Sequence, residues 1–145
     1  MPYWRLFYHL VWGTQNREAL IHGELETLLH KAICAKAADL GALVYAVGGI
    51  EDHIHLVASI PPRIALSEFI GQVKGNSSHL ANHRLALPYH FAWQSEYGVL
   101  SFGGKGLDTV VKYARNQKEH HLNQNTIRAL EIVAEENGPR TDVSP

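Results

Sequence analysis

Leu43-Val44-Tyr45-Ala46-Val47-Gly48-Gly49-Ile50-Glu51-Asp52-His53-Ile54-His55-Leu56-Val57-Ala58-Ser59-Ile60 consists of two apolar, β-rich runs separated by Glu51-Asp52 and closed by Pro61-Pro62. So short a break predicts an antiparallel hairpin with strands over residues 43–50 and 53–60. Gly48-Gly49 suggests a bulge or bend in the first strand. Residues two apart on a strand share a face, so His53 and His55 project side by side while Ile54 turns toward a core. Asp52 would point to the other face unless the strand begins after it.

On the N-terminal side, the aromatic and β-branched residues 3–14 read as a strand closed by Gly13. Leu25, Leu28, Leu29, Ala32, Ile33 and Leu40 recur at helical spacing over residues 24–40, and Gly41 supplies a stop. On the C-terminal side, a second helix is expected from Ser67, as N-cap, to about Leu85. Residues 89–93 and 97–102 read as a further strand or pair. Gly103-Gly104-Lys105-Gly106 is a flexible break, and Asp108 is placed to cap a third helix over 109–122.

Residues 126–136 are expected to form a last helix, and 137–145 a frayed tail. The order β-α-β-β-α-β predicts an α+β fold. It is a ferredoxin-like or RRM-like antiparallel sheet with helices on one face and an added C-terminal tyrosine-bearing helix. One domain over 1–125 would include that helix, at about 107–122, with 126–145 as a C-terminal helix and tail.

The 145 residues are 46% hydrophobic and 19% charged, which fits one globular domain. No apolar run approaches the roughly 20 residues that span a bilayer, and Met1-Pro2-Tyr3-Trp4-Arg5 lacks a signal-peptide layout. The single Cys34 sits in an Ala-rich helical pattern as a small core residue, so a reducing, cytoplasmic setting is expected. Net charge is −1, with −2 on residues 126–145 and +1 on the rest. A small DNA footprint suits that balance better than a long non-specific basic groove.

Two imidazoles on one rigid strand make half of a metal site. A bare His-x-His is equally at home on a solvated polar face. On a helical wheel, Leu107, Val110, Val111 and Ala114 form the core stripe, and Tyr113 lies about a third of a turn away. Gln117 is an i, i+4 neighbour of Tyr113, so both side chains can address one point. Taken alone, Tyr113 also fits an edge-of-core aromatic, Gln117 a solvated side chain, and His120-His121 a helix C-terminus favoured by the macrodipole.

Together these pieces resemble the HUH-type single-stranded DNA transposases with one catalytic tyrosine, the insertion-sequence 200/605 group. The landmarks are Tyr8-His9-Leu10-Val11-Trp12, Asp52-His53-Ile54-His55-Leu56, Lys74-Gly75-Asn76-Ser77-Ser78, Trp93 with Tyr97-Gly98-Val99, and Tyr113-Ala114-Arg115-Asn116-Gln117-Lys118-Glu119-His120-His121. Ala114 departs from the larger apolar residue common after the tyrosine.

The resemblance implies Tyr113 as nucleophile and His53, His55 and Gln117 as ligands of Mg²⁺ or Mn²⁺. It implies a 5′-phosphotyrosine intermediate, single-stranded DNA with subterminal hairpins as partner, and a homodimer with shared active sites. In that dimer the Gly103–Gly106 break would let one subunit's tyrosine helix complete the other's metal site. No nucleotide cofactor is expected, because one ester replaces another and the glycine break lacks P-loop spacing. The sequence identifies no base for Tyr113 and no fourth protein ligand.

Arg5, Lys74, Asn76, Ser77, Ser78, Lys112, Arg115 and Lys118 are candidate phosphate contacts. Tyr89, Phe91 and Trp93 are candidates for base stacking or, more simply, for core packing. A relative that nicks or binds hairpin DNA without transposing, and a non-catalytic nucleic-acid-binding module, are the competing functions.

Overall fold

The computed structural model describes residues 3–133. β1 (Phe7–Gly13), β2 (Leu43–Ile50), β3 (His53–Ser59) and β4 (Gly98–Phe102) form one antiparallel sheet in the order β2-β3-β1-β4. With α1 (Gly23–Asp39) and α2 (Leu66–Arg84) inserted, this is the ferredoxin-like arrangement expected. α1 and α2 pack together on one face, over Leu10, Trp12, Ile54, Leu56 and Ala58. α3 (Leu107–Arg115) covers the opposite face, where Ala46, Val57 and Ala114 meet. The tyrosine-bearing helix and the two connecting helices thus take opposite sides of the sheet.

Alternation along β3 produces this division. Ile54, Leu56 and Ala58 enter the main core, while His53, His55 and Val57 face α3, and all seven residues of the strand are buried. The two-residue Glu51-Asp52 turn holds Ile50 opposite His53 and Gly48 opposite His55. The register shift in β2 falls between Val44 and Ala46, so Gly48-Gly49 is not the bulge. Gly48 instead permits a close approach, since a Cβ there would run into the backbone carbonyl of Ala114. Its missing side chain lets α3 lie directly on β2, which carries Tyr113 to the histidines.

Several boundaries differ from expectation. The first strand starts at Phe7, and residues 89–93 contribute only an isolated bridge between Thr14 and Trp93. Ala65, not Ser67, stands at the N-cap of α2, and Gly106, not Asp108, at that of α3. The helix expected to run through to residue 122 breaks at Asn116 (φ −101°, ψ 30°), and α4 (Gln117–Leu122) follows. The break sits between Tyr113 and Gln117.

The last expected helix does not form. Between 126 and 133 there is only a 3₁₀ turn at Arg128–Leu130, and residues 134–136 of that expectation lie outside the described residues. Glu131 and Ile132 run back over the sheet, so the stretch after residue 125 packs on the site and not beside it. No helix among the described residues is long and apolar enough to cross a membrane.

Candidate active site

His53 and His55 are fully buried, with ring centroids 4.9 Å apart. A buried imidazole needs a partner at each nitrogen. His53 Nδ1–H donates to Asp52 Oδ1 at 2.7 Å, because β3 begins at His53 and the turn swings Asp52 back toward the ring. The strand does begin after Asp52, the case in which Asp52 need not point to the other face.

His55 Nδ1 lies 2.7 Å from Nε2 of His9, a residue of the neighbouring strand on the same face. Burial, and then the proximity of His55, lowers the His9 pKa to about 3, so His9 stays neutral and its Nε2 can accept a hydrogen bond from His55 Nδ1–H. Carboxylate and imidazole partners of this kind fix ring orientation and leave each Nε2 lone pair facing outward.

The two Nε2 atoms face a cluster of oxygens. Gln117, completely buried, places Oε1 3.3 Å from His53 Nε2 and accepts from His121 Nε2 at 3.0 Å. Its amide nitrogen donates to the Tyr113 carbonyl at 3.0 Å, which fixes which end of the amide points at the histidines. Glu131 brings Oε1 within 3.3 Å of His53 Nε2 and 3.5 Å of His121 Nε2, and Oε2 within 3.3 Å of His55 Nε2. His55 Nε2 is nevertheless misaligned for a hydrogen bond and stands as an orphaned buried polar atom. Lone pairs converging on one point, with one buried nitrogen unsatisfied, fit a cation; ligand atoms of His53, His55, His121 and Glu131 lie within 4.8 Å of one another.

Tyr113 is 2% exposed and packs edge-on to His55 at 5.7 Å. Its hydroxyl donates to Glu131 Oε2 and accepts from the Ile127 backbone N–H at 2.8 Å. Burial, followed by the bond to Glu131, pushes its pKa up to about 12. For His53, burial works downward, but bonds to Asp52 and Glu131 outweigh it and bring the pKa to about 8. Burial would raise the Glu131 pKa; His53 and His55 overcome that and hold it well below the carboxylate range.

The candidate phosphate contacts scatter. Lys112 and Arg115 are exposed on α3, with Arg115 bonded to the Tyr45 carbonyl at 3.1 Å. Lys118 pairs with Glu26, and Arg5 lies over the Phe7 ring. Lys74 donates to the carbonyls of Gln94 (2.6 Å) and Glu96 (3.3 Å) and lines a 390 Å³ cavity with Ser78, His79, His83 and Trp93. Asn76 is half-buried. Ser77 is fully buried and accepts from Trp93 Nε1 at 3.0 Å, so it has no free face for a phosphate.

Phe91 is a core residue, stacked edge-on with Trp93. Arg17, which no sequence motif singles out, reaches to 3.2 Å from His53 Nδ1 and 3.4 Å from Asp52. It borders a second cavity of 530 Å³.

The ferredoxin-like sheet thus sets a buried histidine pair against a helix-borne tyrosine. Residues 2–117 match the family model described as "Transposase IS200 like", and the chain belongs to that family. It is therefore a DNA transposase of the IS200 type. The ISDra2 transposase TnpA of Deinococcus radiodurans is 26% identical over 125 residues, covering 80% of this chain and 86% of that protein.

A transposase for insertion sequence element IS200 from Salmonella typhimurium is 28% identical over 75 residues, 52% of this chain and 49% of its own. Among solved structures, a putative transposase from Deinococcus radiodurans R1 shares the fold with a TM-score of 0.62 at 21% identity, over 88% of this chain and 97% of that one. A REP-associated tyrosine transposase bound to a REP hairpin does so with a TM-score of 0.61 at 16% identity, over 87% and 76%.

Proposed function

We propose that the protein cuts and rejoins single-stranded DNA at the ends of an insertion element through a 5′-phosphotyrosine on Tyr113. The observation that carries this reading is the Glu131 carboxylate, one anionic group that reaches His53, His55 and the Tyr113 hydroxyl together. A scissile phosphate would make the same three approaches.

His53 Nε2, His55 Nε2 and Gln117 Oε1 would hold a divalent cation, which polarises a non-bridging phosphate oxygen. This imidazole-rich donor set suits Mn²⁺ better than Mg²⁺. Asp52 and His9 keep the two rings turned toward it. Tyr113 Oη gives up its proton to solvent and attacks phosphorus, the bond to the 3′ oxygen breaks, and that oxygen takes up a proton from solvent to leave a 3′-hydroxyl. Attack by a second 3′-hydroxyl reverses the ester exchange and frees Tyr113, so joining consumes no nucleotide.

Burial, with the hydrogen bond that it donates to Glu131, keeps the Tyr113 hydroxyl protonated and a poor nucleophile. The reactive arrangement needs that contact replaced. Arg17, beside His53 and Asp52, would hold a phosphate next to the site, the exposed Lys112 and Arg115 are candidates for further phosphate contacts, and the two cavities that Trp93 lines would take unpaired bases. The hairpin carried by the REP-associated relative supports hairpin ends as the recognised feature.

The test is incubation with single-stranded DNA from the flanking element plus Mg²⁺ or Mn²⁺, read on a denaturing gel. Wild-type protein should carry a covalent DNA adduct that Tyr113→Phe lacks. An undiminished adduct in Tyr113→Phe would remove Tyr113 as nucleophile.

A further inference from the structure

Glu131 has no part in the ester exchange just described, yet it holds the centre of the site. Its two oxygens meet three imidazole nitrogens at 3.3–3.5 Å, and one oxygen accepts the hydrogen bond of the Tyr113 hydroxyl. We propose that Glu131 is an exchangeable metal ligand: it holds the ion in the DNA-free protein, then yields its place to a phosphate of the bound strand. The inference rests on the metal-centre reading of His53 and His55.

Carboxylate and phosphate oxygens are both hard anionic donors to a divalent cation and both accept a phenolic proton. They compete for one position, since each needs the same Nε2-lined face and the same hydroxyl. With Glu131 in place, His53, His55 and His121 complete a four-residue donor set drawn from β3, α4 and the segment after it. With a phosphate in place, Gln117 remains as the helix-borne oxygen donor. It is buried and tied to the Tyr113 carbonyl, and has no comparable freedom to leave.

The segment that carries Glu131 is built to exchange. Apart from the Arg128–Leu130 turn it has no regular structure, and Ile127 and Ile132 are 44% and 39% exposed. It is seated at two further points. The Ile127 N–H donates to Tyr113, and the Ile132 carbonyl closes on Gly98 at the start of β4, where a Cβ would collide with it. Those contacts hold the carboxylate over the centre without a strand pairing or a core side chain. Incoming DNA must break a few polar contacts and no part of the main hydrophobic core.

Two variants test the exchange, each checked first for an unchanged far-ultraviolet circular dichroism spectrum. In metal-free protein without DNA, Glu131→Gln should bind Mn²⁺ at least about tenfold more weakly by calorimetry. In a Tyr113→Phe background, where no strand is cut, the same change should tighten binding of a single-stranded oligonucleotide about fivefold, through loss of one charge facing a phosphate. Gly98→Ala leaves every ligand intact but displaces Ile132, and should move both affinities in the same directions.

Mn²⁺ affinity within twofold of wild type in Glu131→Gln would overturn the ligand role, as would DNA binding that weakens along with the metal. His53→Ala serves as the separate control. If it still binds Mn²⁺ like wild type, the metal-centre reading fails; if it loses Mn²⁺ while Glu131→Gln does not, only the exchange fails.

Discussion

Strand β3 and residues 117–133 each supply half of the same site, and they are held by opposite means. β3 is paired on both edges, buried along all seven residues, and its histidines are braced by Asp52 and His9. The C-terminal half is a six-residue helix, a 3₁₀ turn and irregular chain, tied mainly by polar contacts to the groups it covers. One half is fixed so that two ligand atoms stay in place. The other half is free of such bracing, which the proposed exchange of one phosphate ester for another would require.

The contrast breaks most visibly at paired isoleucines. Ile54 lies between the two histidines and is fully buried in the core. Truncation to alanine should cost about 2–5 kcal/mol in urea unfolding. A loss below about 1 kcal/mol would mean that β3 is not the rigid half, since surface substitutions alone reach about 0.5 kcal/mol.

A smaller effect shows how one half tunes the other. Metal must displace the proton from His53, whose pKa of about 8 lies above the ordinary value because bonds to Asp52 and Glu131 outweigh burial. Mn²⁺ affinity measured by calorimetry should therefore climb up to tenfold per pH unit below about pH 8 and level off above it. Glu131→Gln removes one of the two bonds that raise the value, so its plateau should begin at lower pH. A profile flat through pH 8 would show that no proton on His53 competes with the metal.

The smallest effect belongs to Ile132→Ala, whose side chain is 39% exposed. Unfolding should shift by about 0.5 kcal/mol or less, the range of ordinary surface changes. A loss as large as that of Ile54→Ala would place the C-terminal segment in the core and remove the distinction.

The sequence is most legible where regular periodicity sets position. Alternation places Ile54 in the core and the histidines on one face, and the two-residue turn sets the register. The i, i+4 spacing puts Gln117 beside Tyr113, and the two stay neighbours even though the helix breaks between them. What stays hidden depends on the third dimension. Glu131 reads locally as one more residue of a helix, because nothing nearby in the chain says that an irregular segment doubles back over the sheet.

His9 stands in a legible landmark, but its role needs the pairing of β1 with β3 to bring it beside His55. Gly48 suggests a bulge, and its use appears only when the Ala114 carbonyl is seen against it. The sharing of sites between subunits is what the resemblance implies, with the Gly103–Gly106 break as the freedom the tyrosine helix would need, and it concerns a second copy of the chain. Within one chain, α3 crosses over β2 and β3.

That crossing leads to the most direct test of the proposed site, in which one chain would supply both halves. Tyr113→Phe and His53→Ala proteins are each expected to form no covalent adduct with single-stranded DNA. Mixed in equal amounts and allowed to exchange subunits, they should still form none, because no chain in the mixture holds both the tyrosine and the intact histidine pair. Recovery of adduct in the mixture would show that the tyrosine helix serves a partner's metal centre, and would contradict the single-chain site.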